Sequence, residues 1–156
     1  MTEKIRNILE AAIQAPSGEN CQPWRFQLGP NEIRLFNDPT SDQSLYNWGQ
    51  RGSYVACGAA LENMLIAVSV LGYQADLEFF PDASDLNFIA SIKLTDQLPK
   101  DESLYPYIVE RVTNRKIYQS VPLTNSETVV LRSSAVGVNF GQILLTQNPD
   151  QIKTLA

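Results

Sequence analysis

The 156-residue sequence contains no histidine and only two cysteines, Cys21 and Cys57. The absence of histidine excludes Ser-His and Cys-His catalytic pairs, and also histidine-ligated zinc sites, within this chain. The two cysteines are too few for a disulfide framework and do not form a Cys-x-x-Cys pair, which favours a reducing, cytoplasmic location. We therefore expect no metal site and no catalytic side chain, so that any chemistry comes largely from a bound cofactor.

Positive charge is also scarce, since 12 lysines and arginines stand against 17 acidic residues and give a net charge of −5. This balance argues against nucleic acid or an anionic membrane as a general partner. The most apolar stretch, 55–71, is interrupted by Glu62 and Asn63 and predicts a buried helix, not a membrane span. No secretory leader is expected. With 44% hydrophobic residues, the chain can build a core and form one compact, soluble domain.

Hydrophobic periodicity predicts an α+β fold, with a mostly antiparallel sheet packed beside a long central helix. Helices are predicted over 3–15, 53–71, 103–111 and 124–133 and from Asn148 onward, and strands over 24–28, 33–36, 75–80, 88–94 and 136–146. The first four strands form two hairpin-like pairs. Parallel βαβ units would instead place a helix between every pair of strands.

The connection after the first predicted helix concentrates uncharged donors and acceptors. Pro16 disfavours helical dihedral angles at the residue before it, and Gly18 is expected to take the positive φ of a sharp turn. Ser17, Asn20 and Gln22 then suit the edge of a planar heterocycle with carbonyls and ring nitrogens. An ordinary helix-to-strand loop is the alternative, because loops use the same residue types.

A basic cluster follows much later in the chain, at Arg111, Arg115 and Lys116, with the hydroxyl of Thr113 between them. Cations so close together can make charge-assisted, bidentate bonds to a phosphate. The alternative is a solvated helix end whose arginines pair with nearby carboxylates, namely Asp101, Glu102 or Glu110.

The central helix carries small residues in its first half. Gly58 is one of them, and a glycine inside a helix costs about 1 kcal/mol relative to alanine, so a close packing partner is expected there. The helix is apolar on more faces than one small domain needs to cover. We therefore expect the protein to self-associate.

Three stretches of the chain resemble the nitroreductase family. Pro-Ser-x-x-Asn-x-Gln-Pro-Trp at 16–24 resembles the flavin-contacting loop, and the run 51–63 resembles the long core helix. Arg-x-Thr-x-Arg-x-x-Tyr at 111–118 is similar to the Arg-x-Ser-x-Arg-x-x-aromatic signature that holds the FMN phosphate and ribityl chain. The resemblance implies an FMN site formed between two related units, with cofactor-binding residues Pro16, Ser17, Asn20, Gln22, Arg111, Thr113 and Arg115.

The order of these motifs resembles the subgroup that has two units in one longer chain. Residues 1–105 then correspond to a first unit and 106–156 to the start of a second, incomplete one, as in a front fragment or a truncated relative. The resemblance implies electron transfer from NAD(P)H through FMN to a nitroaromatic or quinone-like acceptor, by a homodimer or with a partner nitroreductase-like unit. Two alternatives stay open: a non-catalytic flavin-binding or flavin-sequestering protein, and a structural half-domain completed by a partner chain.

Overall fold

The structure is a computed structural model that describes residues 1–117, 121–134, 136 and 143–155. The chain divides into two compact units, Met1–Thr113 and Asn114–Ala156. The predicted division into family units at residues 1–105 and 106–156 stays a prediction.

The first unit contains three helices and one four-stranded sheet. In chain order its elements are α1 (Glu3–Ala12), β1 (Trp24–Leu28), β2 (Glu32–Asn37), α2 (Arg51–Val70), β3 (Tyr73–Phe79), β4 (Phe88–Asp96) and α3 (Tyr107–Glu110). The strands lie in the order β1-β2-β4-β3, and every neighbouring pair is antiparallel. The predicted α+β class, with an antiparallel sheet and a long helix, is confirmed.

The sheet is organised around β4, which has a strand on each side. Ile92 of β4 pairs with Ile33 of β2 and with Leu77 of β3. Ile33 and Ile92 are fully buried or nearly so, as is Leu35, and α2 packs against the sheet. The core of the first unit therefore lies between the sheet and α2.

Helix α1 packs against α2 through Ile8, Ala11 and Ala12, which are buried. The side chain of Thr2 caps its first turn by accepting a hydrogen bond from the backbone nitrogen of Ile5. The predicted helix 3–15 ends earlier than expected, because the chain tightens into a final short turn before Pro16.

Helix α2 ends at Val70, one residue before the predicted end at 71, and Gly72, which follows Leu71, has a φ of +83°. A side chain at this position would also come within 3.1 Å of the carbonyl oxygen of Gln97. The region 103–111 was predicted to be helical throughout, but only α3 is. Pro106 explains the difference, because it has no backbone N–H and disfavours helical geometry at the preceding residue.

The exposed side of α2 carries Val55, Gly58 and Glu62 at helical spacing. No atom lies within 4 Å of a Cβ built on Gly58, so the expectation of a packing partner for it is wrong within the described part of this chain. Residues Leu45–Val70 are long and apolar enough to cross a membrane by length and composition, a property that buried core helices share. Because α2 packs against α1 and the sheet, this is weak support for a span.

The second unit contains two described helices, α4 (Asn125–Ser133) and α5 (Pro149–Leu155), both predicted. Thr124 and Glu127 form a reciprocal capping box at the start of α4. Most of the strand predicted over 136–146 falls outside the described residues, and positions 143–146 are not in a strand.

Candidate functional site

The connection between α1 and β1 is a turn closed by its own hydrogen bonds. Ser17 Oγ accepts a bond of 3.0 Å from the backbone nitrogen of Gln22. Inside this closure the backbone nitrogen of Asn20 donates to the carbonyl oxygen of Ser17 at 3.1 Å, and that of Cys21 donates to Gly18 at 2.9 Å. The turn therefore has a defined shape, although the side chains of Asn20 and Gln22 are exposed.

Both ends of this turn are anchored in the core. Ala15 is 3% exposed before the turn, and Trp24 is 9% exposed after it. The carbonyl oxygen of Pro23 accepts a 2.6 Å bond from the backbone nitrogen of Asp38, which holds the end of the turn against the residue that follows β2. The predicted site residues at 16–22 thus sit on a fixed frame.

Three residues of the turn have a left-handed backbone, and Gly18 is not among them. Glu19, Asn20 and Gln22 have φ values of 48°, 59° and 51°. The expectation that Gly18 supplies the positive φ is wrong. The hydrogen bonds that close the turn place the residues with positive φ after Gly18. Left-handed non-glycine residues cost of the order of 1–3 kcal/mol each and are concentrated at functional sites.

A groove of about 460 Å³ lies between this turn and the exposed face of α2. Its walls are mostly apolar. They are formed by Pro16, Ser17, Gly18, Arg51, Gly52, Val55, Ala56 and Ala59. Apolar walls with a few polar groups at one side are typical of small-molecule sites.

The residues of the predicted basic cluster are divided between the two units, with Arg111 and Thr113 in the first and Arg115 and Lys116 in the second. Arg111 follows α3, and its Nη2 donates a 3.0 Å hydrogen bond to the carbonyl oxygen of Gln14, directly before the turn. The first residue of the later motif therefore contacts a residue two positions before the earlier motif, 97 positions away in sequence. Thr113 is exposed at the end of the first unit.

Arg115 and Lys116 belong to the second unit, and both side chains are exposed. The final residue of the predicted motif, Tyr118, lies outside the described residues. Within the part of the chain that the structure describes, the one ion pair is Arg34 with Glu32. Arg111 therefore forms no ion pair with Asp101, Glu102 or Glu110 there.

Sequence reasoning did not single out Trp48 and Arg51, which lie in the loop before α2 and at the first residue of α2. Residues Leu45–Gln50 form short 3-10 turns, with left-handed φ values of 62° at both Gly49 and Gln50. Trp48 is 73% exposed, and the guanidinium carbon of Arg51 lies 4.9 Å from the centre of its ring. An aromatic residue beside glycine in a polar loop was the only signal for this pair in the sequence.

The two thiols differ in their surroundings. Cys57 is fully buried in α2, and burial raises the pKa of its thiol to about 12, with a smaller contribution from nearby Cys21. Cys21 is partly exposed in the turn. Among the described residues, no group of three histidine, cysteine or acidic side chains is placed to hold a metal ion.

Comparison with known proteins identifies relatives in Mycobacterium tuberculosis. The chain is 31% identical over 145 residues to "Putative NAD(P)H nitroreductase Rv3131", an alignment that covers 90% of this chain and 42% of the relative. It is 34% identical over 93 residues to "Putative NAD(P)H nitroreductase acg", covering 58% of this chain and 28% of that protein. The chain thus spans less than half the length of these curated relatives.

Solved structures share the fold. A "Putative NADH dehydrogenase/NAD(P)H nitroreductase" of Parabacteroides distasonis has a TM-score of 0.51 at 16% identity, covering 75% of this chain and 87% of its own. A "Putative NADH Oxidase" of Clostridium acetobutylicum has a TM-score of 0.50 at 19% identity, covering 75% of this chain and 90% of its own. No protein-family model matches the chain. The chain is thus similar in sequence to proteins named as nitroreductases and shares a nitroreductase-like fold with the solved structures, which supports the nitroreductase family.

Proposed function

We propose that this chain binds FMN and takes part in the reduction of a nitroaromatic or quinone-like acceptor by NAD(P)H. The observation that carries the proposal is the hydrogen bond from Arg111 to the carbonyl oxygen of Gln14. It joins the two segments whose chemistry suits opposite ends of a flavin nucleotide, a phosphate at one end and a planar heterocycle at the other. The two segments therefore lie close enough together for one ligand to reach both.

The residues around the turn fit a flavin ring. The hydroxyl hydrogen of Ser17 is free to donate, because its oxygen serves as the acceptor for Gln22. The exposed amides of Asn20 and Gln22 can donate to ring carbonyls or accept from the ring N–H.

The basic residues suit the phosphate and the ribityl chain. Arg111 uses one N–H group for Gln14, which leaves further donors of its guanidinium for phosphate oxygens. Thr113 would add a hydroxyl, and Arg115 a second cation. When bound, FMN would supply the redox chemistry by accepting hydride from NAD(P)H and passing electrons to the acceptor. The side chains of this chain bind and orient, and none serves as a covalent nucleophile.

We further propose that the active species is a homodimer, or a complex with a partner nitroreductase-like unit, located in the cytoplasm. The exposed side of α2 supports this proposal, because Val55 and Gly58 present a small-residue surface to solvent. Small residues allow another helix to approach closely. Residues 1–105 and 106–156 would correspond to a first unit and the start of a second.

The test is a titration of the purified protein with FMN, followed by flavin fluorescence, and then by turnover with NADH or NADPH and a nitroaromatic acceptor. Saturable binding together with turnover would support the proposal. Binding without turnover would support a flavin-sequestering protein instead. If the protein binds no FMN, the proposal is wrong for this chain alone.

The second candidate is a structural half-domain that completes a flavin site with a partner chain. The observation that favours it is the exposed side of α2, where Val55 and the open space around Gly58 offer a surface for such a chain. On this hypothesis FMN binds only after a partner nitroreductase-like unit is added to the same titration.

A further inference from the structure

The groove beside Pro16 has an aromatic ring and a positive charge at one end. The ring is that of Trp48, which is 73% exposed, and the charge is the guanidinium of Arg51, whose carbon lies 4.9 Å from the ring centre. Arg51 also lines the groove, together with Ser17 and Val55. Through Arg51, therefore, the ring of Trp48 adjoins the groove.

Trp48 is exposed, but the loop that carries it is held in place. Asn47, which is 4% exposed, donates to the carbonyl oxygen of Asp42 at 2.8 Å and to Ser53 Oγ at 2.9 Å. Its side-chain oxygen, Oδ1, accepts a 2.9 Å bond from the backbone nitrogen of Ser53 in α2. A large aromatic side chain that protrudes from a constrained loop is presented to a ligand at little conformational cost.

The charge of Arg51 is not neutralised by the residues around it. Across residues 1–117, 121–134, 136 and 143–155, the ion pair found is Arg34 with Glu32, so no described carboxylate lies within 4.0 Å of the Arg51 nitrogens. A guanidinium that is also stacked on a ring is well suited to bind an anionic oxygen of a planar molecule. The groove volume of about 460 Å³ lies within the range of small-molecule sites.

We propose that Trp48 and Arg51 make the groove selective for planar aromatic acceptors that carry an anionic group, such as nitrobenzoates. This inference rests on the proposed function, because it names the class of acceptor and assigns that acceptor to the groove beside the turn. Trp48 provides the stacking surface, which any planar aromatic can use. Arg51 provides the discrimination, because it favours a carboxylate over a neutral group of the same shape.

The test compares 4-nitrobenzoate with its neutral, nearly isosteric analogue 4-nitrobenzamide by equilibrium dialysis against the whole purified chain. We expect the wild type to bind the anion about tenfold more tightly. In Arg51→Gln the two affinities should become equal, because the amide side chain keeps polarity without charge. Trp48→Ala should weaken both ligands by about threefold to tenfold and leave their ratio unchanged.

Two matched controls separate this site from general surface effects. Arg25 lies over the ring of Phe36 at 5.4 Å, a similar pair outside this groove, so Arg25→Gln should change neither affinity. Leu45→Ala removes another highly exposed side chain from the Trp48 loop and should have no effect. The far-ultraviolet circular dichroism spectrum of each variant checks that the fold is retained.

The outcomes separate this inference from the proposed function. If FMN binds and turns over, but Arg51→Gln keeps the wild-type preference for 4-nitrobenzoate, the inference is overturned and the proposed function stands. If FMN does not bind, the tenfold preference and its loss in Arg51→Gln would still support selection by the groove. If Trp48→Ala dissociates a dimer and leaves both ligand affinities unchanged, the surface around Trp48 is an interface between copies of the chain. The inference is then overturned.

Discussion

At the scale of single residues, the left-handed backbone of the turn after α1 is the least expected feature. Glu19, at a φ of 48°, is an exposed residue with no side-chain hydrogen bond in the described structure. A β-carbon in this conformation is strained, whereas glycine adopts it freely. The strain is therefore a property of the folded turn that a substitution can relieve.

We predict that Glu19→Gly stabilises the protein by about 0.5–1 kcal/mol, since relief of strain exceeds the added freedom of the unfolded chain. Urea unfolding provides the measurement. The matched control is Glu10→Gly on the exposed side of α1, which should instead destabilise the protein by about 0.5–1 kcal/mol. Destabilisation by both changes would show that the turn is not strained.

Arg111 allows a direct test of the phosphate site. If it binds the FMN phosphate, Arg111→Ala should remove charge-assisted bonds of about 1.5–3 kcal/mol, a loss of about tenfold or more in flavin affinity. Arg115→Ala should act similarly, and added inorganic phosphate should compete with FMN. Arg6→Ala, on the exposed side of α1, should change the affinity little. Equal FMN affinity in wild type, Arg111→Ala and Arg115→Ala would exclude these arginines from the site.

The two cysteines should differ in reactivity over a wide pH range. The nucleophile is the thiolate, and a pKa of about 12 leaves roughly one Cys57 thiol in ten thousand ionised at pH 8. We expect iodoacetamide to modify Cys21 in the folded protein and to modify Cys57 only after unfolding or as the pH approaches 12. Mass spectrometry of labelled peptides measures this. Rapid labelling of Cys57 in the native state at pH 8 would contradict its burial.

At the scale of elements, the loop before α2 depends on one buried side chain. Asn47 makes three hydrogen bonds, two as donor and one as acceptor for the backbone of Ser53. Asn47→Ala would leave buried polar groups of Ser53 without partners. A buried polar group left unpaired costs more than the net value of the bond itself.

We therefore predict that Asn47→Ala destabilises the first unit by about 2–3 kcal/mol and releases the loop that carries Trp48. Thermal or urea unfolding measures the first effect, and the emission spectrum of Trp48 in a Trp24→Phe background reports the second. Gln27→Ala, which removes an exposed amide from β1, should stay within about 0.5 kcal/mol of wild type. If Asn47→Ala lowered the free energy of unfolding by no more than Gln27→Ala, water would have replaced the hydrogen bonds of Asn47.

Elements with a local signal were predicted well from the sequence. Strand β1 follows the alternating pattern, the turn Gly29-Pro30-Asn31 sets the hairpin, and Gly72 marks the end of α2. The loop at 45–50 has no period, because its shape comes from the bonds of Asn47 and from positive φ at Gly49 and Gln50. The local conformational preferences of these residues predict neither the hydrogen bonds nor the positive φ values.

The candidate site was predictable in its composition and not in its geometry. The turn at 16–22 was identified by its residue types and by the family resemblance. The left-handed residues of the turn are set by the hydrogen bond from the backbone nitrogen of Gln22 to the Ser17 hydroxyl. The residue types alone do not specify this bond. The bond between Arg111 and Gln14 joins positions 97 residues apart, so spacing could not predict it.

At the scale of the whole molecule, the exposed face of α2 is the surface most suited to a second copy. Val55 is 75% exposed there, beside Gly58, which has open space around it. Burial of such a surface would remove apolar area from water at about 25 cal/mol per Å².

We predict that the protein is a dimer at tens of micromolar, the order of concentration at which stable interfaces persist, and that Val55→Glu dissociates it. Sedimentation velocity measures both states. Val109→Glu is the matched control, because Val109 is 72% exposed in the same unit but lies on α3. A wild-type monomer, or equal dissociation by both variants, would count against α2 as the interface.

The strand order β1-β2-β4-β3 also has a consequence for the time course of synthesis. Of the four strands in this sheet, β4 is the last to leave the ribosome, and it must enter between two earlier strands. Until Phe88–Asp96 has emerged, the hairpin of β1 and β2 has an open edge and β3 has no partner in the sheet. Such edges are templates for pairing between chains, so the nascent protein is most prone to aggregate while β4 is still inside the ribosome. Slower translation between the emergence of β3 and the emergence of β4 would lengthen this exposure, whereas slower translation once β4 has left the ribosome would not.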